Sequence, residues 1–257
     1  MSVSYIVSGF AVGLLVGLTG VGGGSLMTPL LTLLFGISPT VAVGTDLAFA
    51  AATKTAGTFA HRFRGTVHWD IVRRLCLGAL PAAILATLAM KNFGALGQHM
   101  GQIIRYSIAA SVLLTVVAIL FRGRMQAWIQ QHPEKQLRGT ALSISTIVAG
   151  AVLGTLVTIS SIGAGAIGAT LLVLLYPKLS PAEIAGTDIA YAVPLTAIAA
   201  FGHWWLGSIN WELLGMLLLG SVPGITIGSL AAKGVPEKFL RGLLAMTLTG
   251  VAVKLVF

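Results

Sequence analysis

Apolar runs follow one another along nearly the whole chain, separated by short polar stretches, and their lengths fall into two kinds. Three runs in the first half, near 39–60, 71–90 and 103–121, and three in the second, near 182–203, 211–232 and 239–257, approach the roughly 20 residues with which an α-helix crosses a bilayer. Ahead of each triplet stands an apolar run broken by glycines and followed by a shorter run; the one between Ser25 and Phe35 is too short to span. This pattern predicts an all-α polytopic membrane protein, each half a broken, re-entrant Gly-rich hairpin followed by three transmembrane helices.

The two halves are copies. "SPTVAVGTDLAFA" at 38–50 recurs as "SPAEIAGTDIAYA" at 180–192, an offset of 142 that also pairs His61 with His203, Gly65 with Gly207, Trp69 with Trp211 and Pro81 with Pro223. Upstream the offset is 141, pairing Gly9 with Gly150, Gly13 with Gly154, Gly22 with Gly163 and Gly24 with Gly165. The expected boundaries are 1–121 for the first repeat, 122–139 for a cytoplasmic linker and 140–257 for the second repeat. The linker is basic and amphipathic, as suits a segment on a membrane surface.

Composition agrees with a membrane protein: 56% of residues are hydrophobic, 9% are charged and the mean hydropathy is +0.94, more apolar surface than a soluble domain of 257 residues can hide. The opening MSVSY lacks a basic start, so no run reads as a cleavable leader. A net charge of +9 raises the question of nucleic acid, but the lysines and arginines sit in loops between apolar runs, where sidedness explains them. If the broken segments re-enter, the halves are inverted and 12 of the 16 basic residues fall on one side, 3 on the other, with Lys54 inside a segment. Parallel halves would divide the same loop charges 9 to 6, so inversion is expected and the linker lies in the cytoplasm. Cys76, the single cysteine, excludes an internal disulfide and reads as a packing residue. Inverted repeats with broken helices mark secondary transporters.

The duplicated glycine break and GTD element, Gly20 to Ser25 with Ser38 to Asp46 and Gly163 to Gly165 with Ser180 to Asp188, resemble those of the sulfite exporter TauE/SafE family, also called the 4-toluene sulfonate uptake permeases. The resemblance covers nearly the whole chain. It implies a multi-pass protein of a bacterial inner (plasma) membrane that carries sulfite, sulfonates such as sulfoacetate, thiosulfate or related sulfur-containing anions. The second break, "SSIGAGAIG" at 160–168, departs from the glycine pattern with Ala164 and Ala166, so the halves need not contribute equally.

The candidate chemistry lies at the breaks. Unwound backbone survives at membrane depth only where protein buries it or a wet cavity faces it. Successive N–H groups of Gly22, Gly23, Gly24 and Ser25, and of Ser160, Ser161, Gly163 and Gly165, could form an anion-binding concavity at the positive end of the short helix that follows. The competing reading is a tight turn that lets helices approach; Gly9, Gly13, Gly150 and Gly154 read as helix-packing positions. Thr45 and Thr187, beside the breaks' partner element, join the expected substrate contacts. Asp46 and Asp188 stand eight residues past the Ser-Pro helix starts, about 12 Å into the membrane, where a carboxylate is functional by default. Each could clamp the break by accepting its N–H groups, carry a proton, or bind a cation. Lys54, matched by Thr196, either offers positive charge to an anion or snorkels toward Arg62 and Arg64. His61 and His203 end the second helix of each half beside aromatic residues, as interfacial anchors, clamps or proton carriers.

The expected function is therefore a secondary anion transporter with alternating access, no catalytic residues, no cofactor and no metal, whose partners are a small anion and the bilayer, with no nucleic acid. A cation, metal or proton-coupled transporter using Asp46 and Asp188 is the nearest rival. Two buried carboxylates sharing a proton could also activate water as in an aspartyl hydrolase, but no feature marks a gate for peptide.

Overall fold

The structure, a computed structural model, describes residues 2–19, 24–63, 65–94, 98–132, 134, 136–231, 242 and 246. Among the described residues all regular structure is helical, in the order α1 (Ser2–Thr19), α2 (Gly24–Leu34), α3 (Pro39–Phe63), α4 (Trp69–Gly94), α5 (Gln98–Gln131), α6 (Gly139–Ser160), α7 (Ala166–Leu175), α8 (Pro181–Trp205) and α9 (Trp211–Ala231). The repeat is visible in this order: α1 to α4 correspond to α6 to α9. The run at 239–257, the expected partner of α5, lies outside the described residues except for 242 and 246.

Both Ser-Pro pairs start helices as expected, because proline's fixed φ and missing N–H suit the first helical position. At α8 the start is a capping box: Glu183 N–H donates to Ser180 Oγ (3.3 Å) and Ser180 N–H to Glu183 Oε2 (2.8 Å). Helices α2 and α7, with 11 and 10 residues, reach about 15 Å, half a bilayer. Among the described residues five helices are long and apolar enough to cross, at 69–92, 101–131, 139–160, 181–205 and 211–228. Helix α3 equals α8 in length but carries Asp46 and Lys54. Residues 122–131 of the expected linker continue α5, and Gly139 opens α6.

Large apolar side chains cover the outside as well as the core, and a few ionisable groups are enclosed. Leu77, Leu85, Leu120, Val152, Leu219 and Val222 point outward, whereas Asp46, Lys54, Asp188 and His203 are in the interior. A surface in contact with hydrocarbon has this composition, and Trp69 and Trp211, exposed at the starts of α4 and α9, supply interfacial aromatic residues.

Helix α1 packs on α9, and α4 on α6, through glycines. A Cβ at Gly9 would overlap the carbonyl of Leu217, one at Gly13 that of Ser221, and one at Gly220 that of Ile6. The other pair repeats these contacts under the offset: Gly150 against Leu75, Gly154 against Ala79, Gly78 against Ile147. Both pairs run parallel, since the contact numbers rise together, and backbone touches backbone as at small-residue membrane interfaces. Helices α3 and α8 cross the centre antiparallel. The start of α3 meets the end of α8, where Gly44 abuts Ser208 and His203, and Thr187 near the start of α8 meets His68, just beyond α3.

Candidate functional site

Two short helices end on two carboxylates. Asp46, fully buried on α3, accepts at Oδ2 from Thr28 N–H (3.2 Å) and Thr28 Oγ1 (2.6 Å) on α2. Asp188 on α8 receives the N–H of Gly165, which precedes α7. Each GTD aspartate thus ties down the early part of its own repeat's short helix, where the free N–H groups favour negative charge.

The second break explains how α6 can stop inside protein. Ser161 turns into the left-handed region (φ 59°) and donates its N–H to Val157 O at 2.7 Å. Ser160 Oγ accepts from Ile162 N–H (3.2 Å) and bonds Leu156 O (2.7 Å), which satisfies one more exposed amide. Gly165 takes φ 139°, a conformation closed to residues with a Cβ, so this glycine cannot follow its neighbours to alanine.

Lys54 reaches this break from the other repeat. Only 5% exposed, it donates from Nζ to the carbonyl of Ala164 at 2.9 Å and has Asp188 and Asp46 as electrostatic neighbours. It does not snorkel; it stays inside, between the carboxylates. Ser161 lies beside Asp46, yet among the described residues neither Ser161 Oγ nor Asp46 Oδ1 closes a hydrogen bond. Arg122 of α5 is a further electrostatic neighbour of Asp188. Asp46, Lys54, Ser161, Gly165 and Asp188 therefore form one buried cluster around the second break, with Ser160 and Gly163 in the same turn.

The other expected site residues are placed differently. Thr45 Oγ1 accepts from Asn210 N–H and Thr187 Oγ1 from His68 N–H, each at 3.1 Å, so the two threonines fasten each half to the loop of the other. Beside Thr187, His68 Nε2 meets Glu183 Oε1 at 2.9 Å, a contact without a carboxylate counterpart because Val41 stands where Glu183 does in the second copy. Gly22 and Gly23 lie outside the described residues, Gly24 and Ser25 open α2, and His61 falls in the last turns of α3.

His203 is not an interfacial anchor. It is fully buried, with Nε2 against Thr158 O and Nδ1 against Ser208 Oγ, both at 2.9 Å. Its aromatic neighbours Trp204 and Trp205 do face outward, and Lys91 Nζ sits 3.6 Å from the Trp205 ring centroid, so the anchoring belongs to them. Replacing His203 by Phe would leave the Thr158 carbonyl and the Ser208 hydroxyl without that partner, at a cost of about 2–4 kcal/mol. Thermal unfolding in detergent is expected to register that loss, while folded His203→Phe protein in liposomes keeps its transport rate. A stable variant that fails to transport would instead make His203 a proton carrier.

Comparison with known proteins agrees with this architecture. Residues 5–255 match the family model described as Sulfite exporter TauE/SafE. The chain is 36% identical over 256 residues to "Probable membrane transporter protein YjnA" of Bacillus subtilis (strain 168), covering 100% of both chains. It is 26% identical over 247 residues to "Probable membrane transporter protein YdhB" of the same organism, covering 93% of each, and 28% identical over 240 residues to a "Probable membrane transporter protein" of Xylella fastidiosa, covering 88% of this chain and 82% of that one. No solved structure matches. With its glycine-paired helices, its two short helices each bonded to a GTD aspartate and its apolar outward faces, the chain is a multi-pass membrane protein that belongs to the sulfite exporter TauE/SafE family of transporters.

Proposed function

We propose that the protein is a secondary transporter of small sulfur-containing anions, sulfite, sulfonates or thiosulfate, bound near the bilayer midplane at the helix breaks. The observation that carries this reading is Lys54: a buried ammonium held at a broken helix, facing the interior of a membrane domain and screened from lipid. Charge at that depth is costly unless it has a polar task. The two carboxylates beside it hold the short helices in place, and the breaks supply the N–H groups that an oxyanion requires.

Alternating access follows from the pairing of the halves. The antiparallel α3 and α8, the parallel α1 with α9 and α4 with α6, and the 12-to-3 distribution of basic loop residues support repeats inverted across the membrane, with 122–138 on the cytoplasmic side. Under this arrangement 1–121 and 140–257 are the moving repeats of a single transport domain. Export needs little coupling, since an inside-negative potential contributes about 2.3 kcal/mol per charge per 100 mV. Purified protein in liposomes is expected to move labelled sulfite, a sulfonate or thiosulfate; no flux of any of them in either direction overturns the proposal.

A second reading, cation or proton coupling through Asp46 and Asp188, draws on the Oδ1 atoms of both residues, which lack partners among the described residues. It predicts thermal stabilisation by a cation that disappears in Asp46→Asn.

A further inference from the structure

The two GTD aspartates are not equally committed to their short helices. Asp46 accepts twice at Oδ2, from the N–H and from the hydroxyl of Thr28. Ala169 stands in place of Thr28 in the second copy, so that hydroxyl is missing, and the Ala169 N–H goes to Gly165 O at 2.8 Å instead. Asp188 keeps the Gly165 N–H. Its Oδ1 lies against Gly168, where a Cβ would overlap it, and has no hydrogen-bond partner among the described residues, although Asp188 is only 3% exposed. The Tyr191 hydroxyl, fully buried and likewise unpartnered among the described residues, lies against the same glycine.

A buried carboxylate oxygen without a donor is unfavourable, and a proton on it relieves that cost. The neighbouring hydroxyl suits both forms of the group, since a hydroxyl donates to a carboxylate and accepts from a carboxylic acid. Ser161 stands beside Asp46 in the same way, but a proton on Asp46 would weaken the two bonds that Thr28 makes. The groups facing Asp188 are Lys54 from α3, Arg122 from α5 and Tyr191 from its own helix, with Cys76 of α4 beyond the tyrosine. Lys54 and Arg122 balance Asp46 and Asp188, so an anion arriving at Lys54 adds one negative charge that nothing in this group compensates.

We propose that Asp188 alone is the proton carrier of this transporter and that each anion crosses together with a proton on Asp188 Oδ1, while Asp46 stays ionised and holds α2. This rests on the anion-transport reading above. The O–H bond at Oδ1 forms with a proton from the side where the anion enters and breaks on the side where the anion leaves, so both move in one direction. Anion and proton raise each other's affinity by the same factor, because the charge that one adds is the charge that the other cancels. A monoanion then crosses without net charge, and the pH gradient sets its direction.

Methanesulfonate and thiosulfate, whose charges are constant at every pH used, are the probes, read by thermal stabilisation of the purified protein and by flux into liposomes that contain a pH dye. Wild-type protein is expected to bind them more tightly as the pH falls, by up to about tenfold per pH unit, and to carry protons with them. Asp188→Asn, which imitates the protonated form, is expected to bind them equally at all these pH values and to exchange anion for anion without moving protons. Asp46→Asn loses stability through its tie to α2 but keeps the pH dependence. Pronounced pH dependence that survives Asp188→Asn, or that disappears in Asp46→Asn, overturns the proposal. Wild-type binding that does not change with pH, or anion flux without proton movement, overturns it even if Asp188→Asn fails to fold. Wild-type protein that moves neither probe nor sulfite defeats the transport reading itself, and the two failures are thereby distinguished.

Discussion

Lys54→Met is expected to abolish anion flux and to lower the stability of the protein by about 1–3 kcal/mol, the usual effect of leaving a buried polar group without its hydrogen-bond partner. The ammonium is enclosed, hydrogen-bonded to Ala164 O and adjacent to Asp188 and Asp46. Its loss leaves two buried carboxylates without the cation they share as a neighbour, and the carbonyl of Ala164 without its donor. Stability is expected to return in part when Asp188→Asn is added, because the second change removes the excess negative charge; coupled groups are non-additive in this way. Flux is not expected to return, since the cation that attracts the anion is still missing. Lys54→Met protein that transports at the wild-type rate would show that the lysine only braces the fold.

Gly220→Ala is expected to cost at least about 3 kcal/mol and to remove most folded protein, whereas Gly215→Ala, five residues earlier on the same helix, is expected to be neutral or stabilising by up to about 1 kcal/mol. Nothing lies within 4 Å of a Cβ at Gly215, while one at Gly220 would overlap the carbonyl of Ile6. Backbone cannot yield as a flexible side chain can. Helices α1 and α9 would have to separate, and Gly224 against Phe10 and Gly228 against Leu14 would lose their contacts too. Yield and thermal unfolding in detergent measure both variants; equal behaviour would mean that the close approach does not hold the pair together.

Much of this architecture is legible in the amino-acid order. A 141- to 142-residue offset matches not only residues but contacts, so Gly9 finds its copy at Gly150 and Leu217 its copy at Leu75. Ser-Pro marks both helix starts because the chemistry of a first helical turn is local. His203 is different: Trp204 and Trp205 place it beside an interface, but two more residues of sequence cannot say which side of a helix faces Thr158, a carbonyl 45 positions away. Helix α5 continues beyond Arg122 and Arg124 because charge ends a membrane span without ending a helix.

The crossed pairing of α1 with α9 and α4 with α6 also sets a timetable for biosynthesis. Helix α1 must wait until nearly two hundred further residues have been translated before its glycine-lined partner exists. During that interval its carbonyls and small residues face lipid or the insertion machinery, and neither half can reach its final packing alone. Splitting the chain at the 132–138 connection is therefore expected to yield stable protein only when both pieces are made together, as two strands of one knotless weave rather than two separable modules.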